Sequence, residues 1–286
     1  MKKTKDMILE GRLWGGMFPG QHYENAHIAV SGIPYDENVS YRKGAKDGPA
    51  AIRETTAPIP PTTEYFEDIS ALRVADLGDI EGESCKEVFD KTEKLTEELV
   101  RAGKFFTMIG GDHSVTIPVL RGIDKAVDEN FGVIHIDAHF DLCDSLEGSK
   151  VSHGCTERRA SELKHVGGSD NLFFIAIRSA ELDELEFMKN NPVHVISAAE
   201  FDRIGAEQTV EAVKKQLGHL KKIYITVDID CLDPAYAAGT GTPKFGGLTS
   251  RQLLNLLRGL FESLPVIGFD VVEVAPSLDA SLSSVY

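Results

Sequence analysis

Two stretches, FGVIHIDAHFD (131–141) and IYITVDID (223–230), begin as apolar runs and end in acidic residues. The first ends in Asp137 and Asp141 with His139 between them, the second in Asp228 and Asp230. Alternate side chains of an extended backbone share a face. Asp137 and His139 therefore point one way at a strand end, Asp228 and Asp230 do likewise, and Asp141 lies just beyond. Four converging carboxylates repel one another and resist desolvation unless positive charge sits among them. A pair of metal ions meets that requirement.

The rest of the chain alternates strand and helix. Apolar runs predict strands at 27–31, 72–76, 105–109, 133–136, 172–177, 193–197, 223–227 and 266–269. Helices are predicted near Ala50 and over 86–101, 115–129, 181–189, 205–217 and from a Thr249 cap to about Phe261. Residues 1–25, with WGGMFPG, read as a loop or packing arm. Eight short strands separated mainly by helices predict a mostly parallel, doubly wound α/β sheet, with a closed eight-stranded barrel as the competing fold. No repeat, low-complexity tract or linker interrupts residues 1–286, so one domain is expected.

Composition narrows the function. The chain is 42% hydrophobic with a formal net charge of −15, which argues against nucleic acid or an anionic membrane as a partner and suits a cationic substrate. No apolar run is long enough to span a membrane, and the N-terminus lacks a signal-peptide core. The four cysteines form no CxxC or zinc spacing. A cytoplasmic protein with reduced thiols is expected.

In an open α/β sheet the site lies beyond the carboxyl ends of the strands. GGDHS (110–114), DAHFD (137–141), DID (228–230) and DVVEVAP (270–276) all fall there. Taken singly, Asp112 or His113 reads equally well as a helix cap, and Asp137 or Asp141 as a turn residue. Together the four clusters point to metal. The donor set is rich in carboxylate, has two imidazoles and no thiolate, and suits Mn²⁺ ahead of Fe²⁺, Co²⁺ or Zn²⁺. Six residues serving two ions need bridging carboxylates, which hold the ions roughly 3.5–4 Å apart and make a shared water acidic. The reaction expected is metal-assisted hydrolysis. His135 lies in register with Asp137 inside the strand and reads as a buried or supporting histidine rather than a ligand. His153, on the polar loop after that strand, is placed to deliver a proton to a departing amine. The cysteines carry no role.

GGDHS, DAHFD, SHG (152–154), DIDCLDPAYAAGTGTPKFGGLT (228–249) and EVAPS (273–277) resemble the ureohydrolase family of arginases, agmatinases and related amidinohydrolases. GIPYDENVSYRKGAKDGPAAIRE (32–54) is similar to its agmatinase branch in particular. The resemblance implies a three-layer α/β/α fold with an eight-stranded sheet, two Mn²⁺ ions per subunit and a trimer or hexamer. It places His113 and Asp141 on one ion, His139 and Asp230 on the other, and makes Asp137 and Asp228 bridging ligands. It assigns His153 to proton transfer and Glu273 to a bidentate grip on the guanidinium of a small cationic substrate. The activity implied is hydrolysis of agmatine to urea and putrescine. Guanidinobutyrate, guanidinopropionate or arginine are alternative substrates, and a catalytically silent homologue is the non-enzyme alternative. After SHG the chain departs from the family pattern, with Cys155-Thr156-Glu157 before Arg158 and Arg159. Glu157 is expected to add negative charge beside the substrate tail, to face solvent or to pair with an arginine. The family resemblance also implies a closing helix after EVAPS, where this chain ends at SSVY (283–286).

Overall fold

The computed structural model describes residues 13–18 and 20–286. Among them, eight strands form one sheet: β1 (Ile28–Gly32), β2 (Val74–Asp79), β3 (Phe105–Ile109), β4 (Gly132–Ile136), β5 (Leu172–Ile177), β6 (His194–Ser197), β7 (Ile223–Asp228) and β8 (Val266–Val272). Their spatial order is β2-β1-β3-β8-β7-β4-β5-β6, and every neighbouring pair is parallel. β2 and β6 are open edges, which excludes the barrel. All eight carboxyl ends therefore lie along one side of the sheet.

Side-chain alternation divides the core into two layers. From β4, β5 and β7, residues Val133, Leu172, Phe174 and Tyr224 pack on one face with α2 (Cys85–Arg101) and α3 (Thr116–Ala126). Ile134, Ile136, Phe173, Ile175, Ile223 and Ile225 pack on the other with α6 (Ala198–Leu217) and α7 (Ser250–Ser263). Three further helices, α1 (Gly48–Thr56), α4 (Thr156–Ser161) and α5 (Leu182–Asn190), are shorter. The result is the three-layer α/β/α arrangement.

Local chemistry sets the helix starts. Ser84 accepts from the Glu87 amide, and Thr249 forms a capping box with Gln252. Ser197 caps α6 directly after β6, accepting from the Glu200 amide. This helix begins seven residues before Gly205, its expected start; Gly205 instead breaks the helix internally with a φ of 77°. In the described part of the lead-in, the Trp14 indole donates to Asp76 at 3.1 Å, so this segment packs on the sheet edge. The expectation for residues 1–12 and Pro19 lies outside the described residues. Asp76 also receives the Arg53 guanidinium through two bonds of 2.8 and 2.9 Å, both side chains being buried.

Gly111 lies just past the carboxyl end of β3, against the loop that will line the site. A Cβ there would lie 1.8 Å from the Tyr35 carbonyl oxygen, which accepts the Asp112 amide at 2.8 Å. Gly111→Ala must push this loop away and is expected to cost about 1–3 kcal/mol of stability by chemical denaturation. An unchanged midpoint would show that the loop is free to move.

Candidate metal centre

The four central strands β3, β8, β7 and β4 supply the centre from their adjacent carboxyl ends. His113 stands in the 3₁₀ turn after β3, whose cap is Asp112 accepting from the Ser114 amide. Asp137 follows β4, Asp228 ends β7 and Glu273 follows β8. Asp141 and Glu273 both hold left-handed backbone conformations, with φ of 53° and 62°; strain of this kind gathers at functional sites.

Side chains predicted from sequence meet here. His113 Nδ1 lies 3.0 Å from Asp137, 3.1 Å from Asp141 and 3.4 Å from Asp228. His139 Nδ1 lies 3.4 Å from Asp137 and 3.2 Å from Asp230. His113, His135, Asp137 and Asp141 form one grouping with metal-ligand spacing, and Asp137, His139 and Asp230 form a second, sharing Asp137. His113 Nδ1 and Asp137 Oδ2 are buried 3.0 Å apart without a well-formed hydrogen bond. Such atoms are costly to leave unsatisfied, and a cation bound by nitrogen and oxygen would satisfy both. The residues therefore fit a divalent ion.

The electrostatics agree. Burial and the neighbouring Asp230 and Asp137 charges push the Asp228 carboxyl well above its usual range. Burial and Asp137 raise Asp230 as well. Asp137 moves the other way, because the imidazoles of His135, His113 and His139 outweigh its burial. His139 is pushed up to about 12: burial opposes the charge, but Asp137 and Asp230 prevail. Protons are thus held among these groups, and a divalent ion would displace them.

A buried polar row braces the centre from below. Register places His135, Thr226 and Asp270 side by side on β4, β7 and β8. His113 Nε2 lies 2.8 Å from the Thr226 hydroxyl, which donates to Asp270 at 2.6 Å. Asp270 also accepts from Thr116 and Tyr224. With Nε2 donating to Thr226, the His113 Nδ1 lone pair faces the carboxylates. His135 is buried, with Nδ1 3.1 Å from Glu157 and Nε2 3.0 Å from the His139 carbonyl.

Beside the centre is a cavity of about 170 Å³, with His139, Asp141, Asp228 and His153 in its wall. His153 Nδ1 lies 3.1 Å from Glu273 Oε1, which also accepts the His113 amide at 3.0 Å. Burial opposes protonation of His153, but Glu273 more than compensates and pushes it up to about 9.

Comparison with known proteins gives the family. The Arginase family matches residues 26–285. The chain belongs to the arginase family. An agmatinase of Bacillus anthracis is 35% identical over 273 residues, covering 93% of this chain and 90% of its own. The crystal structure of agmatine ureohydrolase of Thermoplasma volcanium superposes with a TM-score of 0.81 at 33% identity, covering 92% of this chain and 87% of that one. A single-residue variant of Trypanosoma cruzi formiminoglutamase with Mn²⁺ gives a TM-score of 0.87 at 25% identity, covering 97% of this chain and 92% of that one. As a member of the arginase family, the chain is a hydrolase of the class that acts on guanidino groups.

One expectation is overturned. Glu157 neither lines the cavity, faces solvent nor pairs with an arginine: it is fully buried and turned onto His135. Its place at the start of α4, whose Glu157 and Arg158 amides both donate to the Asp141 carbonyl, aims it inward. Sequence reading gave Thr226 no role and took Asp270 only as part of DVVEVAP; the polar letter inside the apolar run of β7 was the available signal for Thr226.

Asp228→Asn and His113→Ala are expected to weaken divalent-metal binding by at least about a hundredfold in titration calorimetry, since even supporting residues cost 10–100-fold. Unchanged affinity would place the metal elsewhere. Glu157→Ala leaves His135 buried without its partner and should cost about 3–5 kcal/mol in chemical denaturation.

Proposed function

We propose that this enzyme is an agmatinase, hydrolysing the guanidinium group of agmatine to urea and putrescine with two Mn²⁺ ions per subunit. The observation that carries this reading is the pair of ligand groupings sharing Asp137 beside the cavity that His153 borders. The agmatinases among its relatives support the substrate, and the Mn²⁺ of the formiminoglutamase relative supports the metal.

On this reading His113, Asp137, His139, Asp141, Asp228 and Asp230 would hold the two ions, with His113 and Asp141 serving one, His139 and Asp230 the other, and Asp137 and Asp228 shared. When bound, the ions supply Lewis acidity and make water a nucleophile near neutral pH. Glu273 holds the planar guanidinium. Its Oε1 accepts the His113 amide and faces His153, so Oε2 is the less engaged of the two oxygens that would grip the guanidinium. That contact orients the reacting carbon. His153 delivers the proton that the departing amine needs.

The cavity wall bears on the substrate tail. Glu181 is exposed at its edge, whereas both oxygens of Glu184 are taken up by the Leu142 and Glu181 amides. Glu181, which also forms the capping box of α5 with Glu184, is the exposed acid for the ammonium of agmatine. Lys244 lines the same cavity, which favours a second reading, a guanidino acid whose carboxylate pairs with this lysine. Family resemblance supports a homo-oligomer, a trimer or hexamer. Four free cysteines support a cytoplasmic location, and no helix among the described residues is long and apolar enough to cross a membrane.

Urea release by the Mn²⁺-loaded protein from agmatine, arginine, guanidinobutyrate and guanidinopropionate separates these readings. Agmatine is expected to give the highest kcat/KM, and Lys244→Glu to raise it further. Preference for an acid, reversed by that substitution, would transfer the assignment to the second reading. His153→Asn should lower kcat by about 10²–10⁴-fold with metal content unchanged; metal loss would refute its assigned role. His153 acts as an acid only while protonated, so kcat should fall as pH rises through its pKa, at or below the value of about 9 once cations are bound nearby.

A further inference from the structure

Both ring nitrogens of His153 are already occupied. Nδ1 faces Glu273 Oε1 at 3.1 Å. Nε2 lies 2.8 Å from the Ser40 hydroxyl and 3.1 Å from the Ser40 amide nitrogen, whose N–H it can accept only when the ring is neutral. A proton leaving the ring therefore goes to one of two protein groups. On the Nδ1 side it returns to the carboxylate assigned to the guanidinium. On the Nε2 side it reaches a hydroxyl whose residue lines the same cavity as His139, Asp141 and Asp228.

Ser40 is fixed from both directions along its loop. Two residues earlier, the Asn38 amide donates to Asp112 at 3.0 Å, and the Asn38 carbonyl accepts from the His153 amide and the Ser152 hydroxyl. Two residues later, the Arg42 guanidinium donates to the Gly241 and Thr240 carbonyls at 3.0 and 2.8 Å. Gly241 approaches so closely that a Cβ there would lie 2.9 Å from the Arg42 carbonyl oxygen and 3.6 Å from Glu273 Oε2. The loop is thereby tied to the Asp112 turn, to the His153 segment and to the loop beside Glu273, and Ser40 stands where these meet.

We propose that Ser40 is a proton-relay residue, passing the His153 proton to the departing amine. The inference rests on the reading of His153 as the proton donor. As the C–N bond breaks, its electron pair stays on the amine nitrogen. That nitrogen takes the hydroxyl proton of Ser40, and Ser40 Oγ takes the proton from His153 Nε2, leaving neutral imidazole. The Ser40 amide then has a lone pair on Nε2 to bond, so the uncharged ring is held until solvent reprotonates it. The hydroxyl accepts from the charged ring and donates to the neutral one, a reversal that only a group with both capacities can perform.

Ser40→Ala isolates this step, because it removes Oγ while the backbone amide keeps its contact with Nε2. Expected for Ser40→Ala are a kcat on agmatine lower by about tenfold or more, a KM within about threefold, and unchanged Mn²⁺ content and melting temperature. Ser40→Thr, which retains the hydroxyl, should recover most of the rate. A proton inventory in mixed H₂O and D₂O should be bowed for the wild type, with two protons in flight, and linear for Ser40→Ala. An active wild type with Ser40→Ala within twofold in kcat and the same inventory would overturn the relay while leaving the reaction assignment intact. Ser40→Thr as slow as Ser40→Ala would also overturn it, as would altered metal content, by reducing Ser40 to a structural contact. A wild type releasing no urea from any of the four guanidino compounds would refute the reading of the site and the relay with it.

Discussion

Asp137, Asp141, Asp228 and Asp230 are buried together, with their charges close to one another. Mutual repulsion at this spacing is severe in a medium of low effective dielectric, so their arrangement depends on positive charge held among them. Imidazoles and shared protons provide some of it in the protein alone. Divalent cations would provide it more completely, and the poorly satisfied His113 Nδ1 and Asp137 Oδ2 mark where one belongs. Much of the neighbouring structure restrains these groups: strand ends that stop at the same height, two residues in left-handed backbone, and amide donors to carboxylates, such as Asp230 to Asp228 at 2.8 Å.

The restraint continues inward. Thr226, Asp270, Thr116 and Tyr224 form a closed set of hydrogen bonds beneath His113, all buried in the layer of apolar side chains. A partly satisfied network there would be worse than an apolar one. Here each donor meets an acceptor, and the network fixes which nitrogen of His113 faces the carboxylates. His135 and Glu157 brace the other flank, beneath Asp137 and the His139 carbonyl. The same logic reaches the cavity side, where Glu273 joins the His113 amide to His153 and so links the candidate metal centre to the cavity wall.

What sequence could reveal follows from distance along the chain. FGVIHIDAHFD shows its chemistry because the strand and the acids at its end are contiguous, and parallel strands oblige such ends to converge. The sheet and most helices were legible for the same reason, through alternation and spacing within short windows. Ser40 with His153 spans 113 residues, and Thr116 with Asp270 spans 154. No local pattern signals either pair, and a lone serine in a glycine-bounded loop looks like any turn residue. Glu157 was misread because its charge was visible while its direction was not: α4 turns it beneath the centre rather than toward the cavity. Gly205 misled the start of α6, since a helix with a strong Ser197 cap carries a glycine break within it.

Anomalous diffraction at the manganese edge, from crystals grown with Mn²⁺, tests the two-ion centre most directly. Two peaks per subunit are expected, about 3.5–4 Å apart, each within bonding distance of both Asp137 and Asp228. A single peak, or peaks away from Asp137, would contradict it.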